Sequence, residues 1–345
     1  MGIDYNYLYG LIRSRENELI DPSLLRSLIG MKSVDEIGQI YPESSFVEAF
    51  APDFDEQSLW RAVAFEQAQL RSLIDQHAPQ VELRELLLVP RDLYNLKVGL
   101  RIDSAVREVE ETGFLYGPPG LHSVEAIQAA ITGNGTPNIS ASDTNPANRV
   151  IAMVLERALS AFYRADRNGQ VLEMAIDRLI HLYRVKTTTA VAPEVGAAFA
   201  GYAAIAVGEL LVRGRAAQLP WDVLKWGLID LPGQADLEIL YETPLGEWSS
   251  GVSIFSGPLR VLIEHVVEGV DISSAVRTQQ DLIDGRVANW KLAPPSFAFA
   301  VYYLQKKQAD MDALRMICLA KIKGVIDDNI RSRLEGALMQ QFSAA

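Results

Sequence analysis

Apolar residues recur along this chain at helical spacing nearly from one end to the other. Leu59, Val63, Leu70, Leu73 and Ile74 share a face of the stretch 59–76, and Ile151, Val154, Leu155, Ala158 and Phe162 repeat the theme in 150–164. The stretch 194–212 is rich in alanine and suits close helix packing. From Pro294 the chain reads PPSFAFAVYYLQKKQADMDALRMICLAKIKG, one long helical pattern ended by Gly324. A last helix is predicted over 328–341, capped by Asp327. No sustained strand alternation and no hairpin signal occur, so the pattern predicts an all-α fold.

Start and stop signals divide the pattern. Asp21-Pro22 places an N-cap before a proline at the first helical position, and Gly30 sits where that short helix would end. Ser33 and Glu36 fit a capping box. Ser58 is placed to cap the helix that follows it. Three segments read as connections: the turn-rich 132–148, GFLYGPPG at 113–120, and the Gly/Ser-rich 243–257. They predict three helical units, 1–105, 106–217 and 218–345, with an N-terminal segment that packs on the C-terminal domain.

A loose internal repeat agrees with three units. Asp92, Asn95 and Arg101 recur in spacing as Asp312, Arg315 and Lys321. Between them, 205–215 keeps the apolar run and its arginines, but Ala204 and Val207 stand at the Asp and Asn positions. Nine residues at 100° each put Asp92 and Arg101 on opposite helix faces. They cannot pair with each other, so each contacts a different neighbouring helix or caps a nearby helix end. Asp312 and Arg315, three apart, can pair on the surface.

Composition narrows the function classes. The 345 residues are 49% hydrophobic, enough for sizeable cores, and carry a net charge of -12. A general nucleic-acid binder needs a basic footprint, and an acidic body is not drawn to anionic lipid. The single Cys318 excludes an intrachain disulfide framework and reads as a buried, inert thiol. The N-terminus MGIDYNYLYG lacks the basic and apolar regions of a signal peptide. The longest apolar uncharged runs, 195–208 and 292–305, have 14 residues each, against roughly 20 for a membrane span. No direct membrane insertion is expected, and the chain reads as cytosolic or attached to a membrane complex from that side.

Chemistry is sparse. Gly-Lys never occurs, so there is no Walker-type loop. There is no nucleophile elbow, no H-E-x-x-H and no C-x-x-C. His77, His122, His181 and His265 are far apart in sequence and predict no metal site. Asp327-Asp328 resembles the opening of an aspartate-rich magnesium motif, but Asn329-Ile330-Arg331 supplies no further carboxylate, and an N-cap explains the pair. Asp53, Asp55 and Glu56 read as an acidic loop that caps the next helix. Trp221, Trp226, Trp248 and Trp290 read as core or interface anchors. No catalytic residue, cofactor or metal is predicted.

Three segments, in order, resemble the C subunit of the V/A-type rotary ATPases, counterpart of the d subunit of the eukaryotic V-ATPase. They are DYNYLYGLIRSRENELI at 4–20, with Tyr7, Arg13, Arg15 and Glu16; DLYNLKVGLR at 92–101; and 297–334 around YYLQKKQADMDALRMICLAKIKG. The resemblance implies three similar helical domains in a funnel around a pseudo-threefold axis. It implies a non-catalytic rotor part of the central stalk, on the cytoplasmic face of the membrane. Its partners would be the D and F subunits of the shaft and the proteolipid ring, with torque passed between them for ATP-coupled ion transport. Tyr7, Arg13, Arg15, Glu16, Asp92, Asn95, Arg101, Asp312, Arg315 and Lys321 become structural or interface candidates, with holding helices together as their first role. The alternative reading is an α-helical scaffold unrelated to rotary ATPases.

Overall fold

The structure, a computed structural model, describes residues 4–20, 22–31, 36, 55–104, 120–132, 156–157, 160, 164, 169–228, 234–252, 255 and 257–324. Asp21, the box beginning at Ser33, Asp53, the connections 113–119 and 133–148, most of the helix expected at 150–164 and the helix capped by Asp327 lie outside these residues. Among the described residues every regular element is a helix, and the fold is all-α. Contacts divide the chain into two compact units, 1–84 with 284–345, and 85–283. These cuts are not the ones read from turn-forming segments at 105 and 217.

The first unit contains α1 (Asn6–Ser14), a 3-10 turn (Glu16–Glu18), α2 (Pro22–Gly30), α3 (Glu56–His77) and α13 (Phe297–Ile322). Its core joins Leu25, Leu28 and Ile29 of α2, Leu59 and Val63 of α3, and Leu314, Ile317 and Cys318 of α13. These positions recur three and four apart on each helix, so each contributes one apolar stripe. Burial pushes the Cys318 thiol up to about 12, which leaves it inert at neutral pH. The start of α3 decides between the acidic loop and Ser58 as the source of its cap. Asp55 is the cap, and its carboxylate accepts the Ser58 N–H at 2.8 Å. Ser58 therefore supplies an amide and not the capping side chain.

The second unit begins within α4 (Val81–Ser104) and includes α5 (Val124–Thr132), α6 (Gly169–Val191), α7 (Pro193–Ala216) and α8 (Trp221–Leu224). It continues through the 3-10 turn Lys225–Leu228, α9 (Gln234–Glu242), the 3-10 turn Leu245–Glu247, α10 (Trp248–Gly251) and α11 (Gly257–Val267), and ends in α12 (Ile272–Ala288). The residues 289–292 that follow form a 3-10 turn of the first unit. One core joins Val89, Leu93, Leu96 and Leu100 of α4 to Ile127 of α5 and Leu172, Ile176 and Leu179 of α6.

α7 extends beyond the 14-residue run read from the sequence. At 24 residues it is long and apolar enough, by length and composition alone, to cross a membrane. More than half of its most apolar window is buried within the protein's own packing. Two glycines admit that packing. A Cβ at Gly201 would lie 2.6 Å from Ile283 Cδ1, and one at Gly208 would lie 2.9 Å from Leu262 Cδ2.

Candidate functional site

Asp92 is fully buried on α4, and its carboxylate is aimed at the entrance to α5. It accepts the Leu121 N–H at 2.9 Å and the His122 N–H at 3.2 Å. Its Oδ2 also lies 2.9 Å from His122 Nδ1. A carboxylate only accepts, so that ring nitrogen carries the proton. A buried anion is tolerated when its lone pairs are filled in this way. The backbone can come so near because residue 120 is glycine. A Cβ there would stand 2.3 Å from both Asp92 Oδ1 and the Leu88 carbonyl oxygen. Asn95, one turn on, is also fully buried.

Arg101 leaves on the opposite face and pairs with Glu173 of α6. Lys97, one turn earlier, holds Asp177 at 2.7 Å and lies 3.9 Å from Glu173. Two cations four residues apart thus face two carboxylates four residues apart. The Arg101 side chain is 56% exposed, so this ladder orients α6 more than it stabilises it.

On α13 the candidate residues separate. Asp312 and Arg315 form an exposed pair at 3.6 Å, and the Arg315 guanidinium lies 5.6 Å from the centre of the Trp60 ring. Lys321 turns inward and donates to the Ile29 carbonyl at 2.7 Å. Ile29 lies in the last turn of α2, where a cation meets the negative end of the helix dipole.

The buried carboxylate of α13 is Asp310, which letter spacing does not single out. Its Oδ2 accepts the Ile20 N–H at 2.9 Å, and its Oδ1 pairs with Lys306. Lys306 Nζ also donates to the Ile20 carbonyl at 3.0 Å. A lysine and an aspartate one turn apart therefore grip both polar groups of one residue, just ahead of α2. Burial raises the Asp310 carboxyl above the usual carboxylate range, and the Lys306 ammonium acts against that rise. Beside it Lys307 lies between Glu66 at 3.1 Å and Glu18 at 3.3 Å. The Lys307–Glu66 pair is almost wholly enclosed.

The repeat is therefore shifted by two residues. In each unit a buried aspartate on a long helix takes backbone N–H groups from the segment that leads into a nine-residue helix: Asp92 for α5 and Asp310 for α2. Asp312 matches Asp92 in letter spacing but faces solvent. On α7 the positions at issue hold Ala204 and, two residues earlier, Tyr202, and no carboxylate is offered there.

On α1, Tyr7 is exposed and meets the His77 ring edge-on at 5.2 Å. Arg13 donates to Glu16 at 2.6 Å and to the Lys291 carbonyl at 2.9 Å. Its guanidinium lies 4.7 Å from the Phe299 ring centre and 4.9 Å from that of Tyr9. The Glu16 hydrogen bond holds the Arg13 pKa above its usual value. Arg15 is half-buried and places its charge near the Tyr303 hydroxyl. Burial, with Glu18 adding to it, pushes that hydroxyl well above the ordinary tyrosine value.

These groups fasten helices together. Among the described residues no three His, Cys, Asp or Glu side chains are grouped to hold a metal ion. His181 on α6 is partly buried, and desolvation, aided by Arg184 and Arg178, lowers it to about 4. It stays neutral at physiological pH.

No protein-family model matches the chain. A stretch of 129 residues is 26% identical to the C subunit of the V-type sodium ATPase of Enterococcus hirae. The match covers 37% of this chain and 38% of that protein, so under two-fifths of either length is aligned. This chain is thus similar, over that part, to a component of a V-type ATPase.

Proposed function

We propose that this chain is a non-catalytic rotor subunit in the central stalk of a V/A-type ATPase or ATP synthase. It links a shaft of D and F subunits to the membrane proteolipid ring and passes torque between them for ATP-coupled ion transport. It sits as a peripheral part of the complex on the cytoplasmic side. Three helical domains, 1–105, 106–217 and 218–345, form a funnel around a pseudo-threefold axis and offer three related surfaces to an asymmetric shaft.

The observation that carries this reading is the 129-residue similarity to the C subunit of a V-type sodium ATPase. The clamped helices are compatible with it. A part that transmits torque must resist deformation, and buried, partnered carboxylates tie α4 and α13 each to a segment beside it. In this reading Tyr7, Arg13, Arg15, Glu16, Asp92, Asn95, Arg101, Arg315 and Lys321 keep the shape, and Asp312 lies on an outer face.

The test is co-purification. The tagged chain is expressed with D, F and proteolipid subunits and recovered from detergent extract. Recovery of all three in fixed proportion is the expected result. Recovery of none, with the tagged chain folded by circular dichroism, sinks the rotor reading and leaves the unrelated scaffold.

A further inference from the structure

Between Lys225 and Arg260 the chain contains no lysine, arginine or histidine. Within this stretch lies α9. Its Leu237, Leu240 and Tyr241 are buried, while Asp236, Glu238, Ile239 and Glu242 face out. With 100° per residue, Ile239 falls near the middle of that outer face, three residues from Asp236 and three from Glu242. Ile239 is 67% exposed, and Leu245, in the turn that follows, is 37% exposed. Single exposed aliphatics are ordinary. Two on neighbouring elements, in a stretch whose only charged side chains are carboxylates, are a composition that calls for a partner.

The face is held from behind. Trp248 is fully buried and donates its indole N–H to the Thr243 carbonyl at 2.9 Å. The Tyr241 hydroxyl donates to the Leu219 carbonyl at 2.6 Å. Thr243 Oγ1 donates to the Ile239 carbonyl at 2.8 Å, which closes the end of α9. Arg215 lies 5.8 Å from the centre of the Tyr241 ring, against the buried side chain, and Lys225 is paired with Asp222. A surface fixed in this way loses little freedom when it binds.

We propose that the outer face of α9, with Leu245, docks a basic amphipathic helix of a partner protein. An aliphatic side chain of that helix sets against Ile239 and Leu245, and its lysines or arginines meet Asp236, Glu238 and Glu242. Charge selects the occupant. Glu238 and Glu242 are like charges one turn apart, and they repel until a cation stands between them. The same field disfavours nucleic acid, anionic membrane and a second copy of this face. The inference goes beyond the rotor reading and does not depend on it.

The probe is a fluorescein-labelled synthetic amphipathic helix of about 20 lysine and leucine residues, long enough to cover the face. Its binding to the full chain is followed by anisotropy at ~0.05 and ~0.3 M salt. Hydrogen exchange with and without peptide locates it. Binding should weaken with salt, should fall about tenfold in a Glu238→Lys/Glu242→Lys double variant and should fall several-fold in Ile239→Ser. Exchange protection should appear over 236–247. These side chains are exposed, so all variants should melt with the parent protein. Equal binding by the variants, or protection elsewhere, overturns the proposal. So does self-association of the parent chain that Ile239→Ser abolishes, since the occupant is then a second copy. Failure to recover D, F or proteolipid subunits bears on the rotor reading and leaves this result standing.

Discussion

Asp92 and Gly120 approach so closely that a methyl group on residue 120 would overlap the carboxylate, with 2.3 Å between Cβ and Oδ1. The Leu88 carbonyl oxygen lies at the same distance. Gly120→Ala should therefore cost more than about 2 kcal/mol, because one obstacle is backbone and the other is a carboxylate held by hydrogen bonds. Asp92→Ala should cost about 3 kcal/mol, because it removes the acceptor shared by the Leu121 and His122 amides and the His122 ring. Urea denaturation of each variant checks both values. A parent-like midpoint for either would mean that the α5 entrance is not held as described.

The shifted repeat makes a contrast between two aspartates on one helix. Asp310→Ala removes the acceptor for the Ile20 N–H and the counter-charge of Lys306, so a loss of about 3 kcal/mol is expected. Asp312→Ala removes an exposed pair and should change stability by less than about 0.5 kcal/mol. Thermal melts of the two variants, run side by side, decide it. Equal losses would restore the register read from letter spacing.

Much of the helical pattern was legible because apolar periodicity is local. The cores of α3, α7 and α13 follow from it directly. The opposed faces of Asp92 and Arg101 followed from helix geometry alone. The partners did not. Asp92 reaches a segment 29 residues away and Asp310 one 290 residues away, and no spacing rule carries that information. Asp310 does carry a local signal, a lysine four residues before it in the middle of an otherwise apolar face. Asp312 matches Asp92 in letter spacing and not in the face it occupies. The cap at α3 has two readings in the sequence, because Asp55 and Ser58 are both good capping residues and only geometry chooses between them.

Arg101 and Lys321 should respond differently to truncation. Lys321→Ala loses a part-buried hydrogen bond at a helix end and should cost about 1 kcal/mol. Arg101→Ala loses a half-exposed ion pair and should cost less than about 1 kcal/mol. Calorimetry measures the stabilities, and the co-purification above measures assembly. Parent-like melting of Arg101→Ala together with lost assembly would move that residue from holding α6 to touching a partner.

His181 sets a pH dependence. Its folded-state pKa, about 4, lies below the usual 6.5. As pH falls the unfolded chain takes up the proton first, so the stabilisation is complete above pH 6.5 and is lost on the way down to about pH 4. Partial burial suggests a loss on the order of 2 kcal/mol over that window. Urea denaturation at several pH values should show a shallower slope for His181→Asn than for the parent protein. Other titrating groups are common to both, so parallel slopes would show that His181 is not held neutral by the fold.

The grip of Asp310, Lys306 and Lys321 on Ile20 and Ile29 has a consequence for the order in which the protein is made. About 220 residues separate the end of α3 from the start of α13. At the usual pace of translation, roughly 10 to 40 seconds pass between the two. Throughout that interval the apolar stripes of α2 and α3 have no α13 to cover them. The second unit, which is contiguous in the chain, can close while they wait. The first unit is thus the last to form, and a ribosome stalled before Phe297 would display its unfinished core to chaperones and proteases.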